Sequence, residues 1–182
     1  MKGIFRNLHR YVFWLIISAV FWAWIFTLIT DAPAGKKLVL YADVPAMERQ
    51  TLAQALEQDL PEHIRFVEAR MFMDEMFSPA NVTGGDLFIV SAAEAEGYLS
   101  SFQPLARDAF SDLPAYESGG AVYGVCVYDE AAGIRIAARY VGYQPGERYY
   151  LFFNADSQHL GDWNGSPDDA ALRAARTLLA LP

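Results

Sequence analysis

The sequence predicts an α/β protein, with one N-terminal transmembrane helix followed by a single domain built on a mixed sheet. Three observations carry this expectation. Residues 11–30, YVFWLIISAVFWAWIFTLIT, contain no charge; as a helix rising about 1.5 Å per residue they would be roughly 30 Å long, which matches a bilayer core. Residues 37–105 alternate short apolar runs with helical patterns, as parallel strands joined by crossovers do. Residues 121–154 instead hold three apolar runs parted by turn residues, the pattern of adjacent antiparallel strands.

The expected organisation is a cytoplasmic stub, membrane helix and short linker over residues 1–34, and an extracytoplasmic domain over residues 35–182. Lys2, Arg6 and Arg10 precede the span and favour a cytoplasmic amino terminus, although Lys36 and Lys37 beyond it weaken the contrast. This reads as a single-pass protein of the plasma membrane. Ala32-Pro33-Ala34 before Gly35 would satisfy a signal-peptide cleavage site, but the apolar run exceeds a usual signal core of about 7 to 15 residues, so a retained anchor is expected. The lone cysteine, Cys126, is far from the span. It provides neither a lipid attachment point beside the anchor nor an internal disulfide.

In the outer domain, KKLVLYADV reads as the first strand, and Pro45 opens a helix with Leu52, Ala53, Leu56 and Leu60 on one face before Pro61. IRFVEAR is the second strand. MFMDEMF reads as a short helix cut off by Ser78-Pro79 and Gly84-Gly85, after which DLFIV is a third, fully buried strand. Ser91-Ala92-Ala93-Glu94 has the form of a capping box opening a helix, with Ala92, Ala95, Leu99 and Phe102 as its buried stripe. AVYGVCVYD, IRIAARYVGY and RYYLFFN follow as antiparallel strands around EAAG and QPGE turns; the period of two sets Arg135, Ala137, Arg139 and Val141 on one face of the middle strand. The last helix buries Ala171, Leu172, Ala175, Leu178 and Leu179. With helices on both faces of the sheet, residues 35–182 form one domain.

The protein has 182 residues and a net charge of −8. The first thirty residues hold three of its fourteen basic groups and none of its twenty-two acidic ones, so the remainder stands at −11. A field of that sign repels phosphate backbones and anionic headgroups, which argues against nucleic-acid partners and membrane-surface adhesion.

LVLYADVPAMERQTLAQALEQ, IRFVEAR and GGDLFIVSAAEAEGYLSSFQPL together resemble type 2 extracellular solute-binding proteins, the periplasmic-binding family that feeds ABC importers. The resemblance covers residues 37–105, with Gly85-Asp86-Leu87 and Phe102-Gln103-Pro104-Leu105 standing at the family's third strand and following turn. It implies a periplasmic-binding-lobe-like domain, a small solute and ABC permease subunits as partners. The family's two-lobed cleft has no room in residues 35–182. For open α/β sheets in general, ligands bind at the carboxyl ends of the strands. Tyr41, Ala42 and Asp43 after the first strand and Ser91 after the third are the residues expected there.

The closing segment NADSQHLGDWNGSPDD offers a second candidate. Ser166-Pro167-Asp168-Asp169 reads as a helix start, with serine as cap, proline at the first position and two carboxylates at the positive helix end. Of the polar and aromatic residues that remain, Asn154, Asp156 and His159 offer hydrogen bonds and Trp163 a stacking face, the mixture sugar and peptide sites use; the alternative is a polar turn with Trp163 folded over the sheet end. A serine-hydrolase triad is disfavoured because Ser157 and His159 are two residues apart and no G-x-S-x-G elbow exists. Calcium is disfavoured because the alternation Asp162, Asn164, Ser166, Asp168 competes with the helix start. Zinc is disfavoured because His9, His63 and His159 are scattered. The expected function is a non-catalytic, membrane-tethered, solute-binding-like domain without metal or cofactor, accessory or sensor to an ABC transport system. The alternative is a structural or protein-interaction domain using Tyr123, Tyr128, Tyr140, Tyr143, Tyr149 and Tyr150 as an aromatic face.

Overall fold

In the computed structural model, residues 8–30, 33–71, 84–106, 109–110 and 112–182 are described. The chain divides into two compact units, Met1–Pro33 and Ala34–Pro182.

The apolar run is helical: α1 spans Leu8–Thr30. Its side chains are described over residues 10–25 and are exposed as far as Trp24, with Trp14 at 67% and Leu15 at 70%. That stretch covers about 24 Å, and among the described residues no helix is long and apolar enough to cross a membrane. The span expected over residues 11–30 is therefore not shown, since the side chains that would complete it, at residues 26–30, lie outside the description.

The second unit is a mixed α/β domain. Strands β1 (Lys37–Ala42), β3 (Phe66–Met71) and β4 (Leu87–Ser91) pair in parallel with β1 in the middle, Lys37 opposite Phe66 and Leu40 opposite Leu87. β9 (Arg148–Phe153) joins β4 antiparallel, with Leu87 opposite Phe153 and Ser91 opposite Tyr149. β6 (Ala121–Asp129) and β5 (Ala115–Ser118) complete the order β3-β1-β4-β9-β6-β5, and β7 (Ile134–Arg135) pairs with β6. Parallel alternation in the first half and antiparallel pairing in the second follow the sequence pattern.

The core lies on both faces of this sheet, because every residue of β4 is buried. Leu87 and Ile89 face one layer with Leu38, Leu40, Leu151 and Phe153; Phe88 and Val90 face the other with Phe102, Tyr150 and Phe152. Helices α2 (Arg49–Glu57) and α3 (Ala170–Leu179) both contribute to the first layer, through Leu52, Ala53 and Leu56 and through Ala171, Leu172, Ala175 and Leu178. The expected helix on each face is thus corrected: among the described residues the second face carries a 3-10 helix, Ala95–Ser101, over a layer of aromatic rings. Phe102 stacks on Phe152 at 4.5 Å, and Tyr41 on Phe88 at 5.6 Å. A Cβ at Gly85 would meet the Phe88 and Tyr41 rings at 2.6 Å, so only glycine fits there.

Four further expectations change. Pro45 does not open a helix; Ala46–Met47 (β2) first pairs with Val141–Gly142 (β8), and α2 begins at Arg49. Ser91 does not cap a helix, because it is still in the sheet: it pairs with Tyr149, the Ala92 N–H donates to the Arg148 carbonyl, and the 3-10 helix starts only at Ala95, with no side-chain cap. The strand expected over IRIAARYVGY breaks into β7 and β8 around Ala137, which has φ 54° and is fully buried. Of MFMDEMF, Met71 ends β3 and the rest lies outside the described residues.

Candidate functional site

The candidate residues fall at opposite ends of the sheet. Asn154, Asp156, His159 and Trp163 lie by the start of β4, and Asp43 and Ser91 by its end. Asp86 to Ser91 is roughly 17 Å at about 3.3 Å per strand residue. Tyr41 belongs to neither group: it stacks in the aromatic layer, where its hydroxyl accepts a hydrogen bond from the Arg70 guanidinium at 3.4 Å.

At the amino ends of the parallel strands, the closing loop forms a buried polar network. Asp86, only 7% exposed, accepts the Val39 N–H at 2.8 Å and the Ser157 hydroxyl at 2.6 Å. Burial pushes its carboxyl above the usual carboxylate range although both hydrogen bonds pull it down. The Ser157 hydroxyl also accepts the His159 N–H. Its own proton goes to a carboxylate and not to the imidazole, which is the wrong connectivity for a hydrolase triad. His159 Nδ1 is 2.8 Å from Asp168 Oδ1 and Nε2 is 3.2 Å from the Lys37 carbonyl oxygen. Both partners are acceptors, so either ring nitrogen can donate to the oxygen it faces.

His63 Nε2 reaches the same Asp168 carboxylate at 3.0 Å. Burial raises the Asp168 carboxyl, but hydrogen bonds from the Ala170 N–H and the two histidines outweigh it and hold the group below its ordinary value.

The helix start read at Ser166 is corrected here. α3 begins at Ala170, and Asp168 takes the Ala170 N–H at 2.9 Å. The Ser166 hydroxyl turns back to the Ser157 carbonyl and to Asn164. Asn164 in turn donates to the Ala155 and Ser157 carbonyls, so the oxygen-rich alternation is spent on the loop itself. Asn154, 1% exposed, donates to the Gly85 carbonyl and accepts the Asp156 N–H, while Asp156 itself is exposed. Trp163 sets its edge against Phe153 at 5.3 Å and Phe110 at 6.1 Å. Its half-buried indole packs against the core, which favours the turn reading of this loop over the ligand reading.

The other end differs. The chain leaves β1 through α2 towards β3 on one side, and leaves β4 towards strands on the other side. The carboxyl ends of β1 and β4 therefore flank the point where connections diverge, the place at which open α/β sheets form crevices. An open pocket of about 340 Å³ lies there, lined by Asp43, Ser91, Glu94, Gln144, Glu147 and Tyr149, with Val44, Pro45 and Ala93 as apolar wall. Asp43 is positioned by its N–H, which extends the β1–β4 ladder to the Ile89 carbonyl at 2.8 Å. Tyr149, 2% exposed, donates its hydroxyl to Glu147 at 3.1 Å; burial and the neighbouring carboxylate push the phenol up to about 12. Larger grooves elsewhere, such as the one of about 450 Å³ between Phe110, Leu113, Ile136 and Leu179, have no such place in the topology.

Glu147 and Tyr149 join this pocket only because β9 runs antiparallel to β4 with Ser91 opposite Tyr149. Sequence patterns had placed Glu147 in a turn and Tyr149 in an aromatic face. Nor do the tyrosines form one face: Tyr128, Tyr143 and Tyr149 cluster with the first layer of the core and Tyr123 and Tyr150 with the second. No family model, no curated protein and no solved structure matches the chain.

Proposed function

We propose that the protein is a membrane-tethered, extracytoplasmic, non-catalytic domain that binds a small solute at the carboxyl ends of β1 and β4, serving as accessory or sensor to an ABC transport system. The pocket at the diverging connections carries the reading: it has the position and volume of a small-ligand site and polar groups converging on it from three strands and their loops. The tether rests on α1, an apolar helix whose side chains are exposed over residues 10–24, preceded by Lys2 and Arg6. The link to an importer rests on the resemblance of residues 37–105 to solute-binding proteins.

The test is a thermal-shift screen of the full chain in detergent micelles against sugars, amino acids and amines, repeated with Ala93→Trp. Ala93 is an exposed wall residue, so the indole fills the pocket without entering the core. A solute that raises the melting temperature of the wild type and leaves the variant unmoved supports the proposal, since only a ligand preferring the folded state stabilises it. A blank screen, or a shift that survives Ala93→Trp, refutes it.

A further inference from the structure

We infer that the solute taken by the β1–β4 pocket is a small organic cation, a protonated amine held between the carboxylates of Asp43 and Glu147 with the Ser91 hydroxyl beneath it. This rests on the solute-binding reading and adds the ligand's chemistry. The lining contains three carboxylates, from Asp43, Glu94 and Glu147, and no lysine, arginine or histidine. Arg148, the basic residue next in sequence, does not line this pocket; it lines a neighbouring cavity with Asp129 and Glu130, which Glu147 also borders. A domain at −11 adds a long-range field that concentrates cations at such an opening.

Acidic groups alone would be an ordinary solvated rim. Ser91 makes the difference. It is 5% exposed and lines the pocket, and its hydroxyl has no hydrogen-bond partner among the described residues. Among the described residues no fully buried side-chain oxygen lacks a partner, so this hydroxyl opens onto the pocket, a polar group that burial would penalise unless something in the pocket bonds to it. The Asp43 carboxylate likewise makes no hydrogen bond or ion pair among the described residues. Glu147 is held by the Tyr149 hydroxyl through Oε2, leaving Oε1 for a ligand. A bare metal ion fits poorly, because among the described residues no three acidic, histidine or cysteine side chains are grouped to hold one. Carboxylates too dispersed to ligate one ion suit an ammonium group, which spreads three N–H donors and brings a carbon chain for the Val44, Pro45 and Ala93 wall.

Isothermal titration of the full chain in micelles tests this with 1,4-diaminobutane, its uncharged counterpart 1,4-butanediol, and magnesium chloride. The diamine should bind and the diol should not. Asp43→Asn and Glu147→Gln should each weaken the diamine about tenfold or more with an unchanged melting temperature for Asp43→Asn, and Ala93→Trp should abolish binding. Absence of diamine binding, equal binding of the diol, displacement of the diamine by magnesium, or indifference to both carboxamide variants overturns the inference. A neutral or anionic solute blocked by Ala93→Trp would leave the solute-binding function standing and remove only the cation; if no solute of any class binds, both fall.

Discussion

Asp168 ties together pieces of chain more than a hundred residues apart. It takes hydrogen bonds from His159, from His63 and from the Ala170 N–H at the start of α3. As a mere carboxylate near a helix end it would contribute about 0.3–1 kcal/mol; as the charged acceptor of a hydrogen bond from the buried His159 ring it should contribute about 1.5–3 kcal/mol. The two magnitudes separate the readings. Asp168→Asn should therefore lower unfolding stability at neutral pH by roughly 2 kcal/mol in urea titrations, whereas Ser166→Ala, which removes one neutral hydrogen bond to the Ser157 carbonyl, should cost about 1 kcal/mol. The pH dependence has a definite sign. Because the folded Asp168 carboxyl lies below its ordinary value of 3.8, its contribution is complete above that value and disappears as pH falls through the lower folded one. Asp86, raised by burial, works in the opposite sense: its share is present below the ordinary value and lost as pH rises through the raised one. Titrating both proteins below about pH 4 should show the gap between wild type and Asp168→Asn closing. A gap that stays constant to the acid end would mean that Asp168 does not act through its charge.

At the scale of elements, periodicity carried the reading as far as burial is local. β1, β3, β4, β6 and β9 all stand where apolar runs placed them, and the stripes of α2 and α3 follow their spacing except that Leu60 lies beyond the end of α2 and Leu179 is only half-buried. The failures occur where a distant segment competes for the backbone. Ser91 has good capping chemistry, yet its ladder with Tyr149 keeps it in the sheet. IRIAARYVGY has good strand chemistry, yet the Ala137 N–H donates to the Leu181 carbonyl and the Arg139 N–H to the Pro182 carbonyl, so the chain terminus takes groups that a strand partner would need. The site shows the same division. The place of Asp43 and Ser91 at the strand ends was legible from the chain order, Tyr41 beside them turned into the aromatic layer instead, and Glu147 and Tyr149 joined the candidate pocket through a register that no local pattern encodes. Ala137 makes the competition measurable. Its left-handed φ costs alanine about 1–2 kcal/mol, which Ala137→Gly would relieve, but glycine gives up a buried methyl group and adds unfolded-state freedom, together about 1.5 kcal/mol. That variant should be neutral within about 1 kcal/mol. Ala137→Val overfills a site with no exposure and forces a β-branched residue to positive φ, and should cost about 3 kcal/mol or more. Equal behaviour of the two in thermal melts would show that the turn at Ala137 is not constrained as described.

For the whole molecule, the deciding question is where α1 resides. Consecutive residues from Tyr11 to Ile17 are exposed, as are Val20, Phe21, Trp22 and Trp24. Successive positions on a helix turn by about 100°, so this exposure runs all the way round and leaves no polar face for water, the pattern of a helix in lipid or in a protein core. Each such side chain left in water forgoes about 1.5–3 kcal/mol. The net charge of −11 beyond residue 30 argues against holding the protein at an anionic headgroup surface by attraction alone, so membrane association would have to come from the helix. The full chain should then remain in the membrane pellet through high-salt and alkaline carbonate washing. Ile16→Arg with Val20→Arg, each costing about 2.5–3.5 kcal/mol at a bilayer centre, should shift it to the soluble fraction. Release of the wild type by carbonate would sink the anchor, and a fragment beginning at Gly35 would mean that the apolar segment is removed as a signal. Protease added to intact, wall-free cells reads the orientation: digestion of the domain while the amino-terminal stub survives is the expected pattern, and complete protection of the domain would place it on the cytoplasmic side.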